Sequence, residues 1–484
     1  MMQGNTRLQN ALASFRRKRG SLLPALHVAQ EICGELSLET QKVVAEELDL
    51  PLAQVASVVS FYPAFGSGQG AAVPRATGDF FGAGILLQES LSDPASEIEY
   101  TAAGGYTALR TALENPAGII GRVSGSGLLG RGGAAFPVGM KWKLVRDTTA
   151  DEKFVICNAS EGEPGTYKDL LLLCRSPHAI LEGMAICGVA VGAELGILCI
   201  SDEYPEAGAV MERALENACR GGYLGRSILG SGLHFEVELR VGAGGYASGE
   251  ETGLIGALEG FRGEPRLKPP YPGVKGLRGK PTVINNAESF ACVPAVLAPG
   301  GAEKCAETRL YTMSGCVKNA GVYERPVDAT IRSLLQESGG GCPAGKTLKG
   351  IRVGGASGSI VGTDWLDVHL GAESAFAAGI TPGTGSLLFL DSDTSVVALC
   401  RDSMAFFAEE SCGKCTPCRF GCQRMLELLS AMVDGRGTAA GLEELETLSD
   451  YVAKNSLCGL GQTAPAAVTS ALKSFRSEWE ACVN

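Results

Sequence analysis

Cys412, Cys415 and Cys418, in the run Glu-Ser-Cys-Gly-Lys-Cys-Thr-Pro-Cys-Arg, and Cys458, in Leu-Cys-Gly-Leu-Gly-Gln, constrain this chain more than any other feature. Thiolates at i, i+3 and i+6 converge on one side of a short loop or helix start, and a fourth from a distant segment closes the tetrahedral ligand set of a 4Fe-4S cluster. Gly413, Pro417 and Gly459 keep the backbone tight around the sulfurs. A structural zinc is the alternative reading, but zinc sites are usually two Cys-x-x-Cys pairs rather than a triplet plus one. The pattern predicts an electron carrier.

At 484 residues the chain exceeds one ordinary core and predicts several domains. A net charge of -11 disfavours nucleic acid, whose phosphates need clustered Lys and Arg. Residues 1–20 are polar and carry Arg16, Arg17, Lys18 and Arg19, unlike a secretory signal, so a cytoplasmic protein is expected. The most apolar stretch, 179–200, contains Glu182 and Glu194 and reads as a buried helix running into a strand, with no membrane span. Cys187, Cys199, Cys292 and Cys400 lie in apolar runs and are expected as reduced core residues. His27, His178, His234 and His369 stand apart from one another and from any Ser or Cys in a hydrolytic pattern.

From Leu22 to Phe65 the apolar spacing is helical (Leu26, Ala29, Ile32, Cys33; Val43, Val44, Leu48; Val55, Val58, Val59), and Pro51 opens a new first turn. This predicts a helical bundle over 1–66 and a Gly/Ser/Pro-rich linker over 67–96. Helical patterns alternate with short apolar runs such as 154–157 and 196–200 over 97–309, an α/β domain. Short strands (311–317, 321–323, 386–390) around a helix at 330–337 make 310–394 a compact α+β module. Helices at 396–410, 421–433, 441–454 and 465–480 make 395–484 a bundle holding the cluster cysteines in its loops. The expected fold class is thus multi-domain α/β.

Three glycines in Gly130-Arg-Gly-Gly-Ala-Ala-Phe-Pro137 free backbone N–H groups to approach an anion, with Arg131 and Lys141 adding positive charge and Phe136 a stacking face. Taken alone, such a loop is weak evidence. Cys157-Asn-Ala-Ser-Glu-Gly-Glu-Pro-Gly-Thr-Tyr-Lys-Asp169 and Gly244-Gly-Tyr-Ala-Ser-Gly-Glu-Glu-Thr252 place polar side chains straight after apolar runs, where ligands bind in α/β domains. Arg266-Leu-Lys-Pro-Pro-Tyr271 offers Lys268 and Tyr271 as a clamp for an aromatic ligand, and Thr282-Val-Ile-Asn-Asn-Ala-Glu288 supplies Asn285 and Asn286. Each is more often structural when met singly.

In this order the motifs resemble the 51 kDa or F-type flavoprotein subunit of respiratory complex I and its relatives in NAD(P)-linked hydrogenases, formate dehydrogenases and bifurcating complexes, over about 101–484. The resemblance implies a Rossmann-like domain with FMN held by Gly130, Arg131, Gly132, Lys141, Asn158, Ser160, Glu161, Tyr246, Gly249, Glu250, Asn285 and Asn286. It implies NAD(H) against Phe136, Glu163, Glu251, Lys268 and Tyr271, and a 4Fe-4S cluster on Cys412, Cys415, Cys418 and Cys458. It further implies a β-grasp domain of the soluble-ligand-binding type from Leu310, opened by Ser314-Gly-Cys-Val-Lys-Asn-Ala-Gly-Val-Tyr-Glu324 and serving structure and assembly.

Residues 22–65, especially Ala29-Gln-Glu-Ile and Val59-Ser-Phe-Tyr, resemble the helical part of the 24 kDa or E-type partner subunit. Cys33 is the only cysteine before Cys157, so the thioredoxin-like 2Fe-2S unit is expected on a separate chain, beside a further iron-sulfur or catalytic subunit. The chain departs from the family where Ser160 replaces Asp, Ser248 replaces Cys and Ala287 replaces Thr or Val. The function implied is hydride exchange between a nicotinamide nucleotide and FMN, then single-electron transfer to the cluster and to partner clusters. Glu251 favours ribose hydroxyls over a 2'-phosphate, hence NAD over NADP. The competing readings are a redox scaffold without turnover, a cluster-bearing ligand sensor and an NADP-specific diaphorase.

Overall fold

Three helices open the chain: α1 (Met2–Leu12), α2 (Leu22–Cys33) and α3 (Leu38–Leu48). They bury Leu8, Leu12, Leu26, Ala29, Val44 and Leu48 in one core. The Ser37 hydroxyl caps α3 by accepting from the Thr40 N–H at 3.3 Å. This computed structural model describes residues 2–16, 22–52, 55–56, 59, 86, 91–201, 204–241, 245–259, 263–298 and 307–483. Val58 and residues 67–85 and 87–90 of the expected linker lie outside the described residues. Two corrections apply here. Cys33 is exposed rather than part of the bundle core, and 91–96 is not linker but packed chain, with Ala95 fully buried and its carbonyl bonded to His178 and Asn217.

The first sheet is parallel, in the order β3-β2-β1-β4: β1 (Phe154–Ala159), β2 (Leu195–Ile200), β3 (Glu236–Val241) and β4 (Thr282–Asn286). In β1 and β2 nearly every side chain is buried, as expected when both faces of a parallel sheet are covered. Val155, Cys157 and Ala159 face helices α6 (Pro177–Val191) and α9 (Ala287–Leu297). Phe154 and Ile156 face Leu254 and Ile255 of α8 (Glu251–Leu258). Helices α4 (Val138–Asp147), α5 (Lys168–Arg175) and α7 (Pro205–Arg220) belong to the core on the α6 and α9 side. Pro177 starts α6 at its first turn and Gly192 ends it in the left-handed region, at φ 75°. No single described helix is long and apolar enough to cross a membrane; α5 and α6 reach that composition only jointly, across a 94° bend.

The second sheet is mixed, in the order β6-β5-β9-β7-β8: β5 (Thr308–Gly315), β6 (Gly321–Pro326), β7 (Leu348–Val353), β8 (Ser359–Gly362) and β9 (Ser386–Asp391). Its first and last strands, β5 and β9, pair in parallel next to each other, and every other pair is antiparallel, the β-grasp arrangement. The helix expected at 330–337 is one helical turn, Ile331–Ser333, passing into a wider π turn at Leu334–Ser338. Strands β7 and β8 were not anticipated, because Lys349, Arg352 and the glycines around them break the apolar signal.

Helices α10 (Val396–Glu410), α11 (Thr416–Val433), α12 (Ala439–Asn455) and α13 (Ala466–Ser474) form the C-terminal bundle around Met404, Phe407, Met425, Leu429, Leu445 and Val468. Helix α11 begins five residues before the expected start, at Thr416-Pro417, so Cys418 sits in its first turn rather than in a loop. The helix expected at 465–480 breaks at Phe475 into α13 and the short Arg476–Glu480. The fold class read from the sequence holds.

Candidate functional site

The carboxyl ends of β1 and β4 lie side by side, with Asn158 paired to Asn286, and the candidate residues gather above them. Asn158 donates to the Gly249 carbonyl at 2.8 Å, tying β1 to the 246–249 turn. Asn286 donates to Asp169 at 2.5 Å and to the Asn158 carbonyl at 3.2 Å, while its amide oxygen accepts from Lys168 at 2.8 Å and caps α9. Asn285 accepts from the buried Trp142 indole N–H at 2.9 Å. The glycine loop lies on this surface: a Cβ on Gly132 would stand 3.4 Å from Asn286 Cβ, and Gly133 has φ 108°. Ser160 Oγ is buried and makes no hydrogen bond. Its orphaned hydroxyl, at the sheet's carboxyl edge beside a glycine loop, fits a polar cofactor such as FMN.

Under this surface lies a buried ion network. Lys168 Nζ meets Asp169 at 2.7 Å and Glu288 at 3.1 Å, and Arg131 Nε meets Glu288 at 3.9 Å. Both Glu161 carboxylate oxygens accept from the start of α5, from Asp169 N–H at 3.0 Å and Leu170 N–H at 3.2 Å. Three carboxyl groups, Glu161, Asp169 and Glu288, share Lys168 and Arg131, and the buried Arg309 also acts on Glu288. Burial and the neighbouring Asp169 push the Glu161 carboxyl up to about 8, and burial raises Asp169 too. The Lys168 ammonium opposes its own burial through Asp169, Glu288 and Glu161, which together hold its pKa above the usual lysine range. Lys168, Asp169 and Glu288 lie within the sequence motifs but had no role assigned from sequence. A lysine beside an aspartate ahead of an apolar run, Lys168-Asp-Leu-Leu-Leu-Leu173, was the available signal.

Arg131 corrects one expectation. It was expected to meet an anion, but its side chain is 4% exposed and donates to the Thr308 carbonyl at 2.8 Å, locking the glycine loop to β5. Glu163 is likewise turned inward. Its carboxylate accepts from Ser357 N–H at 2.9 Å and Ser357 Oγ at 3.0 Å, and the Tyr246 hydroxyl bonds to it as well. It therefore links the first sheet to the β7–β8 turn instead of facing an open cleft.

The residues expected to meet a nucleotide split by exposure. Phe136 is 49% and Tyr271 55% exposed, on the open side. Between them Lys268 meets Glu250 at 2.8 Å and Glu251 at 3.0 Å, and Lys141 meets Glu251 at 3.4 Å and the Ile284 carbonyl at 2.8 Å. Partial burial works against the Glu251 charge, but Lys141 and Lys268 outweigh it and hold the carboxyl below its ordinary range. The Glu250 carboxylate also caps α8, accepting from Thr252 N–H at 2.8 Å and Gly253 N–H at 3.0 Å. The Ser248 side chain and Gly244 lie outside the described residues.

Cys412, Cys415, Cys418 and Cys458 line one cavity, with Ala247, Pro265, Ser411, Lys414, Leu457 and Leu460 as its other walls. The four thiols and this mostly apolar shell fit a 4Fe-4S cluster. Cys422, one turn after Cys418 and fully buried, interacts with the Cys418 sulfur, which Ser411 Oγ meets at 3.2 Å. Cys422 first, then Ser411 and Cys415, outweigh burial and lower the Cys418 thiol, favouring the thiolate that a metal needs. Sequence reasoning passed over Cys422, because its i+4 relation to Cys418 holds only once the helix starts at Thr416.

The cavity and the sheet edge meet at the 246–251 segment. Tyr246 N–H donates to the Glu410 carboxylate at 2.8 Å, its ring packs on Phe406 at 5.1 Å, and Ala247 walls the cysteine cavity. Lys414 reaches across to the Pro265 carbonyl at 2.7 Å.

Comparisons with known proteins match these parts in turn. Residues 123–295 match the Nuo51 FMN-binding domain, 398–482 the NADH-ubiquinone oxidoreductase-F iron-sulfur binding region, and 8–71 the thioredoxin-like [2Fe-2S] ferredoxin family. The chain is 40% identical over 400 residues to the NADP-reducing hydrogenase subunit HndC of Solidesulfovibrio fructosivorans, covering 81% of each. It is 42% identical over 391 residues to an F-type subunit of the NADH-quinone oxidoreductase of Rhizobium meliloti, covering 79% of this chain and 93% of that one. A crystal structure of an NAD+-reducing [NiFe]-hydrogenase in the H2-reduced state superposes with a TM-score of 0.70 at 27% identity, covering 97% of this chain and 94% of its own.

Proposed function

The chain belongs to the family of FMN-binding flavoprotein subunits that includes the F-type subunits of NADH-quinone oxidoreductase, and from that premise we propose how its residues divide the work. It is an NAD(P)H-oxidising subunit of a multi-subunit redox complex, with an FMN-binding domain and a 4Fe-4S region, passing electrons to partner clusters. When bound, FMN supplies hydride exchange with the nicotinamide nucleotide and the cluster supplies one-electron steps. No side-chain acid or base is required for that chemistry. The protein's task is geometry and charge.

Gly130, Gly132, Lys141, Asn158, Ser160, Tyr246, Gly249, Glu250, Asn285 and Asn286 hold FMN, with Glu161 beneath it. Phe136, Tyr271, Glu251 and Lys268 hold the nucleotide. Arg131 and Glu163 act as positioning residues, fixing the glycine loop and the Tyr246 turn. The observation that carries this reading is the convergence of all four cysteines on one cavity whose wall, Ala247, belongs to the segment that borders the sheet's carboxyl edge.

Glu251, kept ionised by two lysines, accepts hydrogen bonds from ribose hydroxyls and disfavours a 2'-phosphate, which supports NAD as the nucleotide. A second reading, use of NADP, is favoured by the same two lysines, which offset the acidic charge where a phosphate would sit. The N-terminal match to a 2Fe-2S family carries Cys33 alone, too few thiols for a cluster, which supports a separate thioredoxin-like E-type partner bearing it. Sixteen described cysteines, all free, support a reducing compartment, the cytoplasm.

The test is anaerobic isolation followed by flavin and iron analysis and titration with NADH and NADPH against an artificial acceptor. Yellow-brown protein reduced preferentially by NADH is expected. Colourless, iron-free protein would sink the assignment, and preference for NADPH would select the second reading.

A further inference from the structure

Cys316 and Cys342 take no part in either site. Cys316 follows β5, where its N–H donates to the Phe389 carbonyl at 2.8 Å. Cys342 follows Gly339-Gly-Gly341. The triplet explains how two distant segments come so close. A Cβ on Gly339 would stand 2.3 Å from Val317 Cγ2, and one on Gly340 2.8 Å from the Asn319 amide nitrogen. Gly340 and Gly341 also have φ of 69° and 78°, the region where glycine is favoured. Two backbone bonds, Lys318 N–H to the Gly341 carbonyl and Asn319 N–H to the Gly339 carbonyl, both 2.9 Å, clamp the segments together.

The clamp sets the two residues in neighbouring positions, where their thiols interact, and both are free. Their environments differ. Cys316 is 8% exposed and packs with Tyr311, Val317 and Leu335, whereas Cys342 is only partly buried, at the rim of that core. Burial and Cys342 push the Cys316 thiol up to about 12, making it a poor first nucleophile. The Asp391 carboxylate and the Lys346 ammonium bound to it at 2.7 Å both act on the Cys316 thiol, the first disfavouring and the second favouring its thiolate.

We propose that Cys316 and Cys342 are a reversible disulfide site, closed by a low-molecular-weight disulfide such as glutathione disulfide. In the first step the Cys342 thiolate attacks one sulfur of the oxidant, forming a mixed disulfide and releasing one glutathione thiolate, which takes up the Cys342 proton. Cys316 then gives up its proton and attacks the Cys342 sulfur, closing the internal bond and releasing the second glutathione. The two thiols lose two electrons and two protons, and glutathione disulfide gains both. The clamped backbone brings the partners together with little rearrangement, as disulfide geometry demands.

The experiment treats the cofactor-loaded full chain anaerobically with glutathione disulfide, blocks remaining thiols by alkylation, and maps peptides by mass spectrometry with and without a reductant. The expected result is one cross-linked peptide pair joining Cys316 to Cys342, loss of both alkylation products, and recovery of both on reduction. The visible spectrum of the cluster, unchanged throughout, excludes sulfurs released from iron. Cys316→Ser is expected to trap Cys342 as a lasting mixed disulfide with glutathione, and Cys342→Ser to leave Cys316 unmodified. Separate alkylation of both residues in the wild type, or pairing of either with a different cysteine, would overturn the proposal.

Discussion

Ser160 and Glu161 stand side by side and behave in opposite ways. The Ser160 hydroxyl is buried without a partner, so Ser160→Ala should leave the Tm of the cofactor-free chain within about 1 °C, while weakening FMN binding roughly tenfold by equilibrium dialysis. Burial and Asp169 favour the protonated Glu161 in the folded state, whereas an unfolded glutamate releases its proton at about pH 4.3. Its contribution to stability is fully present below that unfolded value and is lost as pH rises through about 8. The cofactor-free chain should therefore melt lower at pH 7.5 than at pH 5.5, and Glu161→Gln should narrow that gap. An unchanged gap would mean that the proton resides elsewhere in the network. At the nucleotide side, Glu251→Gln should raise the ratio of NADPH to NADH kcat/KM by about tenfold, since one charge near a phosphate is worth about 1–2 kcal/mol at a partly exposed site. What sequence reading could see at this scale was the motif. It could not see direction, which is why Arg131 and Glu163, read as facing ligands, turn inward to the Thr308 carbonyl and to Ser357.

Helix α11 owes its role to its first turn. Cys415 is its N-cap residue, Pro417 lies in the first turn where no N–H is needed, and Cys418 follows with Cys422 one turn on. A hydrogen bond to a cluster sulfur raises the reduction potential by stabilising added negative charge. Cys422→Ala should accordingly lower the cluster midpoint measured by EPR-monitored titration, and Cys422→Ser, which keeps a donor, should restore most of it. The helix was legible from its apolar spacing, but its start was misplaced because Thr-Pro-Cys-Arg reads as a loop when ligand cysteines are assigned to loops. Strand pairs of strongly apolar character, β1 and β2, were equally legible. Strands β7 and β8 were not, since Arg352 is buried against Ser403 and its strand lacks clean alternation. The Glu163 contacts with Ser357 carry the junction between the sheets, so Glu163→Ala should cost about 1–3 kcal/mol and lower the melting temperature.

For the molecule as a whole, order mattered more than any single motif: glycine loop, asparagine-bearing strand ends and cysteine quartet recur in one sequence along the chain. Local periodicity divided the chain into helical, α/β, α+β and helical stretches because each has its own apolar spacing. The segments over 67–90 carried no such spacing. With Cys33 alone in the N-terminal stretch, isolated protein should contain about four iron atoms per chain rather than six, measured together with acid-labile sulfide.

Residues 246–251 border the proposed flavin pocket and, through Ala247, wall the cysteine cavity, while Glu410, next to the cavity-lining Ser411, pins Tyr246. A strip that borders the donor and also walls the acceptor's cavity, tied to the cluster-bearing bundle by Glu410, resists separation of the two when larger bodies rock against each other. The hopping distance between them is insulated from breathing of the assembly, and inserting even one residue into that strip should slow intramolecular electron transfer while leaving each pigment's own spectrum intact.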